Sequence, residues 1–106
     1  MPPVQPPQMS DDQRAAALER AAQARRLRAE VKELLKSGSL DLQGLLDRAE
    51  ADDLIGGIKV AAVLSSMPGT GKVKAKRLME QLGIADNRRL RGLGDRQRAA
   101  LLAEFS

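Results

Sequence analysis

Two glycines and a cluster of cations stand close together in the C-terminal half of the chain. The segment reads Met67-Pro68-Gly69-Thr70-Gly71-Lys72, and a stretch of helix-forming residues follows it. Glycine adopts left-handed backbone conformations easily and places no side chain between a turn and a ligand, so successive peptide N–H groups at the helix start can point at one anion. The pattern predicts a phosphate site built from backbone.

The positive charges that follow this turn extend the predicted site. Lys72, Lys74, Lys76 and Arg77 all lie within one and a half helical turns. Such side chains bind neighbouring phosphates without reading the base sequence, which suits a nucleic-acid strand. The candidate residues of this first segment are Pro68, Gly69, Thr70, Gly71, Lys72, Val73, Lys74 and Lys76.

A second cationic segment follows, in which three arginines precede a pair of glycines. Its candidate site residues are Arg88, Arg89, Arg91, Gly92 and Gly94. The planar, weakly hydrated guanidinium suits phosphate clamping and insertion into a narrow minor groove. We expect Arg89 and Arg91 to approach a duplex most closely. In the alternative, one of the three arginines pairs with Asp86 or Asp95 and fixes the turn.

The letters GTGK also resemble the end of a nucleotide-binding P-loop, G-x-x-x-x-G-K-[ST]. The first glycine of that motif would be residue 66, which is Ser66, and the magnesium-binding hydroxyl would be residue 73, which is Val73. The element before the turn is also expected to be a helix, whereas a P-loop follows a strand. We therefore expect neither an ATPase nor a GTPase.

The composition favours helices and removes most catalytic groups. The chain has 106 residues, no cysteine and no histidine, and Phe105 is its only aromatic residue. Aliphatic-rich, aromatic-poor chains favour helices over sheets, and thiol nucleophiles, imidazole bases and the usual soft metal ligands are lacking. We expect an all-α fold with no catalytic residue, no metal, no cofactor and no small-molecule substrate.

Positive and negative charges are unevenly distributed along the sequence. The net charge is +2 over Met1 to Ser37, −3 over Gly38 to Ser66, and +5 over Met67 to Ser106. A basic region beside an acidic one suits a protein that binds a polyanion with one face, since the acidic surface resists docking the wrong way round. No stretch approaches the roughly 20 apolar residues of a membrane span, and the start lacks signal-peptide features, so we expect a soluble, cytoplasmic protein with no membrane partner.

Three parts are expected along the chain. Residues 1–9 hold four of the five prolines and are expected to form a disordered arm. Residues 10–37 are expected to form one long helix, because Ser10 and Gln13 make a capping-box pattern and Gly38 supplies a left-handed stop. Residues 38–106 are expected to form a small helical globule that binds DNA.

The long helix has one basic face whose role stays open. Arg25, Arg28, Lys32 and Lys36 are three or four residues apart and share that face. Arg25, Arg28 and Lys32 are candidate phosphate contacts, but a solvated face near Glu30 and Glu33 is an equal alternative. The first half of this helix offers mainly alanine methyls and is expected to project from the core.

The remaining helices are expected to pack around the turn. Asp41 is placed to cap a short helix, and Pro68 stops another one that carries Ile58 to Met67. The helix after the turn is expected over residues 72–82, and Asp95 is expected to cap the last one.

Longer stretches of the sequence resemble known families. LSSMPGTGKVKAKRLM, from Leu64 to Met79, resembles the helix-hairpin-helix motif of DNA repair and recombination proteins. DQRAAALE, IGGIKVAAVL, GKVKAKRLME and RRLRGLGDRQRAALLAEF together resemble the actinobacterial integration host factors over nearly the whole chain from Ser10 onward. One departure is Thr70, where the hairpin of that family usually carries an aliphatic residue.

The resemblance implies a helical, single-domain nucleoid-associated protein with a helix-hairpin-helix or helix-two-turn-helix motif. It implies binding to duplex DNA with little sequence preference, a change in DNA shape, and contacts from Pro68 to Lys76 and from Arg88 to Gly94. A recombinase or topoisomerase is a possible partner of such a protein.

Two other function classes fit parts of the sequence. RNA or ribosome binding is the alternative, because related hairpins occur in ribosomal proteins and phosphates do not distinguish the two polymers. A repair glycosylase is the other, but a chain this short leaves little room for a pocket that accepts an extruded base. We therefore expect an architectural DNA-binding protein that is not an enzyme.

Overall fold

A computed structural model describes residues 10–105 of the chain, and its regular structure in that range is helical. The predicted arm over residues 1–9 lies outside the described residues. The helices are α1 Asp11–Ser37, α2 Leu42–Ala51, α3 Asp53–Gly56, α4 Val60–Ser66, α5 Gly71–Gln81 and α6 Asp95–Glu104, with a 3₁₀ turn Leu90–Gly92 before α6. The all-α class and the long first helix are confirmed.

The ends of α1 are set by the residues that the sequence indicates. The Ser10 hydroxyl accepts a hydrogen bond from the Gln13 N–H at 3.1 Å, and the Gln13 side chain accepts one from the Ser10 N–H at 3.0 Å. At the other end Gly38 is left-handed, with φ of 76°, and its N–H donates to the Leu35 carbonyl. Both ends therefore satisfy backbone groups that a helix leaves unpaired.

Only the last turns of α1 contribute buried side chains. Val31 and Leu35 are buried and Leu27 and Leu34 pack partly against the core, whereas Leu18 is 64% exposed. The first half of α1 therefore stands outside the core, as predicted from its small side chains.

The core surrounds α4, which packs against both α1 and α5. Val60, Val63 and Leu64 are almost fully buried, and they meet Leu45 of α2 and Met79 of α5 in one cluster. Burying a side chain of this size contributes about 1.5 to 3 kcal/mol, so α4 is anchored along its whole length. The turn that follows it is therefore held on a rigid base.

A helix cap stabilises α2, and ion pairs hold α6 against α2. The Asp41 carboxylate accepts a hydrogen bond from the Gly44 N–H at 2.7 Å, which confirms that Asp41 caps α2. Arg98 of α6 forms ion pairs with Glu50 and, at 3.1 Å, with Asp47. These two carboxylates lie on α2, so the pairs fix α6 against it.

The prediction for the start of α6 was wrong. Gly94 is the N-cap, with extended φ and ψ of −74° and 160°, and Asp95 is the first helical residue. The Gln97 side chain accepts a hydrogen bond from the Gly94 N–H at 3.2 Å. A side chain caps a helix from the residue just outside it, so Asp95, which is already inside the helix, cannot act as the N-cap.

Candidate nucleic-acid interface

The glycine hairpin joins α4 to α5 through a tight turn. The Thr70 N–H donates to the Met67 carbonyl at 3.1 Å, and Gly69 and Gly71 have φ of 76° and 67°. A Cβ added at either glycine would meet nothing within 4 Å. Glycine is therefore required here for its backbone conformation, and the space in front of the turn is open.

The first turn of α5 presents peptide groups without partners. Within residues 10–105, the N–H groups of Gly71, Lys72 and Val73 have no backbone acceptor, and no side chain caps the helix. Such groups carry partial positive charge at a helix start and together can hold an anion. The backbone site that the sequence predicts therefore has donors free to bind.

Cations surround these donors. Lys72, Lys74, Lys76 and Arg77 are all exposed, and none of them is in an ion pair within residues 10–105. The opposite face of α5 is buried through Ala75, Leu78 and Met79. Packing therefore fixes how α5 is rotated, and the rotation leaves the cations in solvent.

Thr70 lies between the two glycines of the hairpin. Its side chain is only 9% exposed. Thr70 is therefore almost fully enclosed in the hairpin.

The arginine segment is positioned by backbone hydrogen bonds to a distant part of the chain. The Val60 N–H donates to the Arg88 carbonyl at 2.9 Å, and the Leu90 N–H donates to the Ile58 carbonyl at 3.0 Å. These two bonds join the segment to the start of α4, and the buried Leu90 side chain adds an apolar anchor.

The arginine side chains differ in what they contact. The Arg88 guanidinium donates to the Gly92 carbonyl at 2.7 Å, and that of Arg89 donates to the Gly57 carbonyl. Arg91 is exposed and has no hydrogen bond or ion pair from its side chain among the described residues. Pairing with Asp86 or Asp95, the alternative considered from the sequence, was wrong for the described part of the chain, because backbone carbonyls hold Arg88 and Arg89 instead.

Gly56 is a positioning residue that the sequence interpretation missed. A Cβ at this residue would lie 3.0 Å from the Ala49 carbonyl oxygen and 3.2 Å from the Arg91 Cβ. The arginine segment can therefore approach α2 and α3 this closely only because residue 56 is glycine. The signal in the sequence is the pair of consecutive glycines, Gly56-Gly57.

The basic residues of α1 differ in whether they lie near the hairpin. Lys32 lines a groove with Lys72 and Lys76, whereas Lys36 lies 3.9 Å from Glu33. Arg25 and Arg28 are exposed, do not line that groove, and have no ion pair among residues 10–105. The fold thus brings one of the three predicted α1 contacts next to the hairpin cations.

The described residues contain no group of three or more acidic, cysteine or histidine side chains that could hold a metal ion. Between residues 10 and 105, no helix has both the length and the apolar character of a membrane span.

The sequence is similar to several named proteins. It is 58% identical over 99 residues to the integration host factors of Mycolicibacterium smegmatis and Mycobacterium tuberculosis, covering 93% of this chain and 94% of each relative. It is 52% identical over 99 residues to that of Streptomyces coelicolor, covering 93% of this chain and 92% of the relative.

The fold is similar to that of a solved protein, sIHF, which was determined bound to an 8-bp palindromic DNA. The TM-score is 0.80 at 51% identity, covering 83% of this chain and 99% of that one. The model of the S13-like H2TH domain matches residues 35–105. The chain therefore belongs to the family of these integration host factors and contains an S13-like H2TH domain.

Proposed function

We propose that this protein binds duplex DNA with little sequence preference and alters its shape, as an architectural protein of the nucleoid. The observation that carries the proposal is the start of α5, where the N–H groups of Gly71, Lys72 and Val73 have no acceptor among the described residues and the neighbouring lysines form no ion pair there. The names of the relatives and the DNA bound to sIHF support the same conclusion.

In this proposal a phosphate sits on the amides of Gly71, Lys72 and Val73. Lys74 and Lys76 neutralise adjacent phosphates, and Arg89 and Arg91 reach the minor groove beside them. These contacts go to the sugar-phosphate backbone and to groove shape, so they carry little base information. Little sequence preference follows directly.

Contacts that lie on more than one side of a straight duplex favour a bent duplex, because bending brings additional phosphates to the protein. Lys32 joins α1 to the hairpin surface, and Arg25 and Arg28 continue the basic face along the helix. If a duplex follows both surfaces, the added phosphate contacts offset the elastic cost of a bend, which is of order 1 to 6 kcal/mol for a 20–30 bp site.

The proposal assigns no chemical step, cofactor or small-molecule substrate to this surface. In this proposal residues 38–106 supply the DNA-binding part and α1 supplies a second contact. It places the protein on the nucleoid in the cytoplasm, where a recombinase or topoisomerase that needs shaped DNA is a fitting partner.

The test is the salt dependence of binding to a DNA duplex of 20 bp. About five or six phosphate contacts give a slope of about −5 for log K against log salt concentration. Fluorescence anisotropy between about 50 and 300 mM salt measures that slope, since the Debye length shortens over this range. A slope near zero would reject the electrostatic mechanism.

RNA or ribosome binding is the second candidate function, because the phosphates of RNA fit the same amides and lysines. The single aromatic residue, Phe105, packs partly against the core, which speaks against stacking on unpaired bases. Competition of DNA duplex against RNA duplex and single-stranded RNA at fixed salt separates the candidates. Cleavage of a damaged duplex would instead reveal a repair enzyme.

A further inference from the structure

Val73 is an apolar side chain in the middle of the cationic hairpin surface. It is 71% exposed, more than the other two exposed large apolar side chains of the described residues, Leu18 and Leu54. Its sequence neighbours are Lys72 and Lys74. Helical periodicity places it about 200° from the buried Ala75, so packing in the free protein does not explain a valine there.

The position of Val73 in α5 places its methyl groups beside the open amides. It is the third residue of the helix, and helical Cα–Cβ bonds tilt toward the N-terminus. Its own N–H is one of the three without an acceptor. If a phosphate is held at these amides, one of the two sugars that it joins would lie within reach of the Val73 side chain.

The chemistry of those sugars separates the two nucleic acids. The phosphodiester oxygen O3′ is bonded to C3′, and the next carbon is C2′. In DNA this carbon is a methylene, which an apolar side chain contacts without loss. In RNA it carries a hydroxyl, which would lose water without gaining a hydrogen-bond partner from valine, and that desolvation is unfavourable.

We propose that Val73 is a specificity-determining residue that makes the hairpin prefer deoxyribose to ribose. The inference rests on the proposed function, because it needs a phosphate seated on the α5 amides. It gives the hairpin a means of selecting DNA that uses no base contact, whereas its lysines and peptide N–H groups attract the phosphates of both polymers.

The test is Val73→Thr, which keeps the branched shape and replaces one methyl group by a hydroxyl. Dissociation constants are measured by anisotropy at about 100 mM salt for a 20-bp DNA duplex and an RNA duplex of the same sequence, conditions in which phosphate contacts still contribute strongly. The ratio of the RNA constant to the DNA constant is expected to fall about fivefold, the size of one hydrogen bond gained by the 2′-hydroxyl. The salt slope on DNA stays unchanged because no charge is removed.

Lys74→Ala is the comparison variant. It is expected to weaken binding to both duplexes by similar factors, to flatten the DNA salt slope by about 0.9, and to leave the ratio nearly constant. Circular dichroism checks that both variants retain the helix content of the wild type.

Three outcomes are distinguishable. A reduced ratio in Val73→Thr with an altered slope only in Lys74→Ala supports the inference. An unchanged ratio with the expected Lys74 slope overturns the role of Val73 and leaves the proposed function standing. A slope that Lys74→Ala does not alter overturns both, since the hairpin would then not be the phosphate site.

Discussion

The hairpin and the arginine segment are built in opposite ways. The hairpin consists of consecutive residues, and its shape follows from two glycines of positive φ and the helix that they start. The arginine segment has only the three-residue turn Leu90–Gly92 as regular structure of its own. Its place is set by hydrogen bonds to Ile58 and Val60, about 30 residues earlier, and by the close approach to Gly56.

The two regions also offer different donors. The hairpin offers peptide N–H groups, which every residue except proline carries, so a substitution other than proline abolishes them only by changing the shape of the backbone. The arginine segment offers guanidinium groups, which can be removed one at a time. A substitution that distorts the hairpin should therefore remove its whole contribution to duplex affinity at once. Substitutions in the arginine segment should each remove only part of that segment's contribution.

The largest effect is expected from Gly69→Ala combined with Gly71→Ala. Each alanine at positive φ costs about 1 to 2 kcal/mol, and relief of that strain turns the amides away from a common point. Losing charge-assisted hydrogen bonds from these amides should lower duplex affinity about a hundredfold. Binding is measured by anisotropy and the free energy of unfolding by urea titration.

The chain offers a matched control for this pair. Gly38 and Gly83 also have positive φ, of 76° and 68°, and a Cβ at either would meet nothing within 4 Å. Gly38→Ala combined with Gly83→Ala should cost similar stability and leave affinity near that of the wild type. Equal affinity losses in the two double variants would mean that the hairpin acts only through stability.

The difference between a hairpin built from consecutive residues and a segment placed by long-range contacts also explains what could be predicted from the sequence. The Ser10 cap, the Gly38 stop, the Asp41 cap and the hairpin depend on residues a few positions apart, and each was predicted correctly. The Arg89 contact with Gly57 and the fit of Arg91 against Gly56 join residues more than 30 positions apart, and no local pattern encodes them. Helix α3 was missed because it has four residues, too few for a periodic pattern.

Gly56→Ala tests the long-range construction of the arginine segment. The new methyl group would lie 3.0 Å from the Ala49 carbonyl oxygen, so backbone must shift, at a cost of about 1 to 3 kcal/mol. Because Arg91 is the other close neighbour, its displacement should lower duplex affinity about tenfold, the equivalent of roughly 1.4 kcal/mol. Thermal or urea unfolding and anisotropy measure the two effects.

Gly57→Ala is the control for that variant. Its nearest neighbour would be the Asp53 carbonyl oxygen at 3.3 Å, its φ of −81° suits any residue, and Arg91 is not among its neighbours. We expect a stability loss below about 1 kcal/mol and little change in affinity. If both glycine variants bound DNA like the wild type, close packing at Gly56 would not position the arginines.

Arg91→Ala and Arg89→Ala are expected to give the smallest effects and to separate two roles within the segment. Arg91 has no partner to lose, so its removal should flatten the salt slope by about 0.9, weaken binding a few-fold, and leave the free energy of unfolding within about 0.5 kcal/mol. Arg89 also holds the Gly57 carbonyl, so its removal should flatten the slope by a similar amount and in addition cost about 0.5 to 1.5 kcal/mol of stability. A stability loss for Arg91→Ala without a change in the salt slope would instead mean that the arginine segment stabilises the fold and does not bind phosphates. Of the two regions, only the hairpin would then contribute electrostatically to DNA binding.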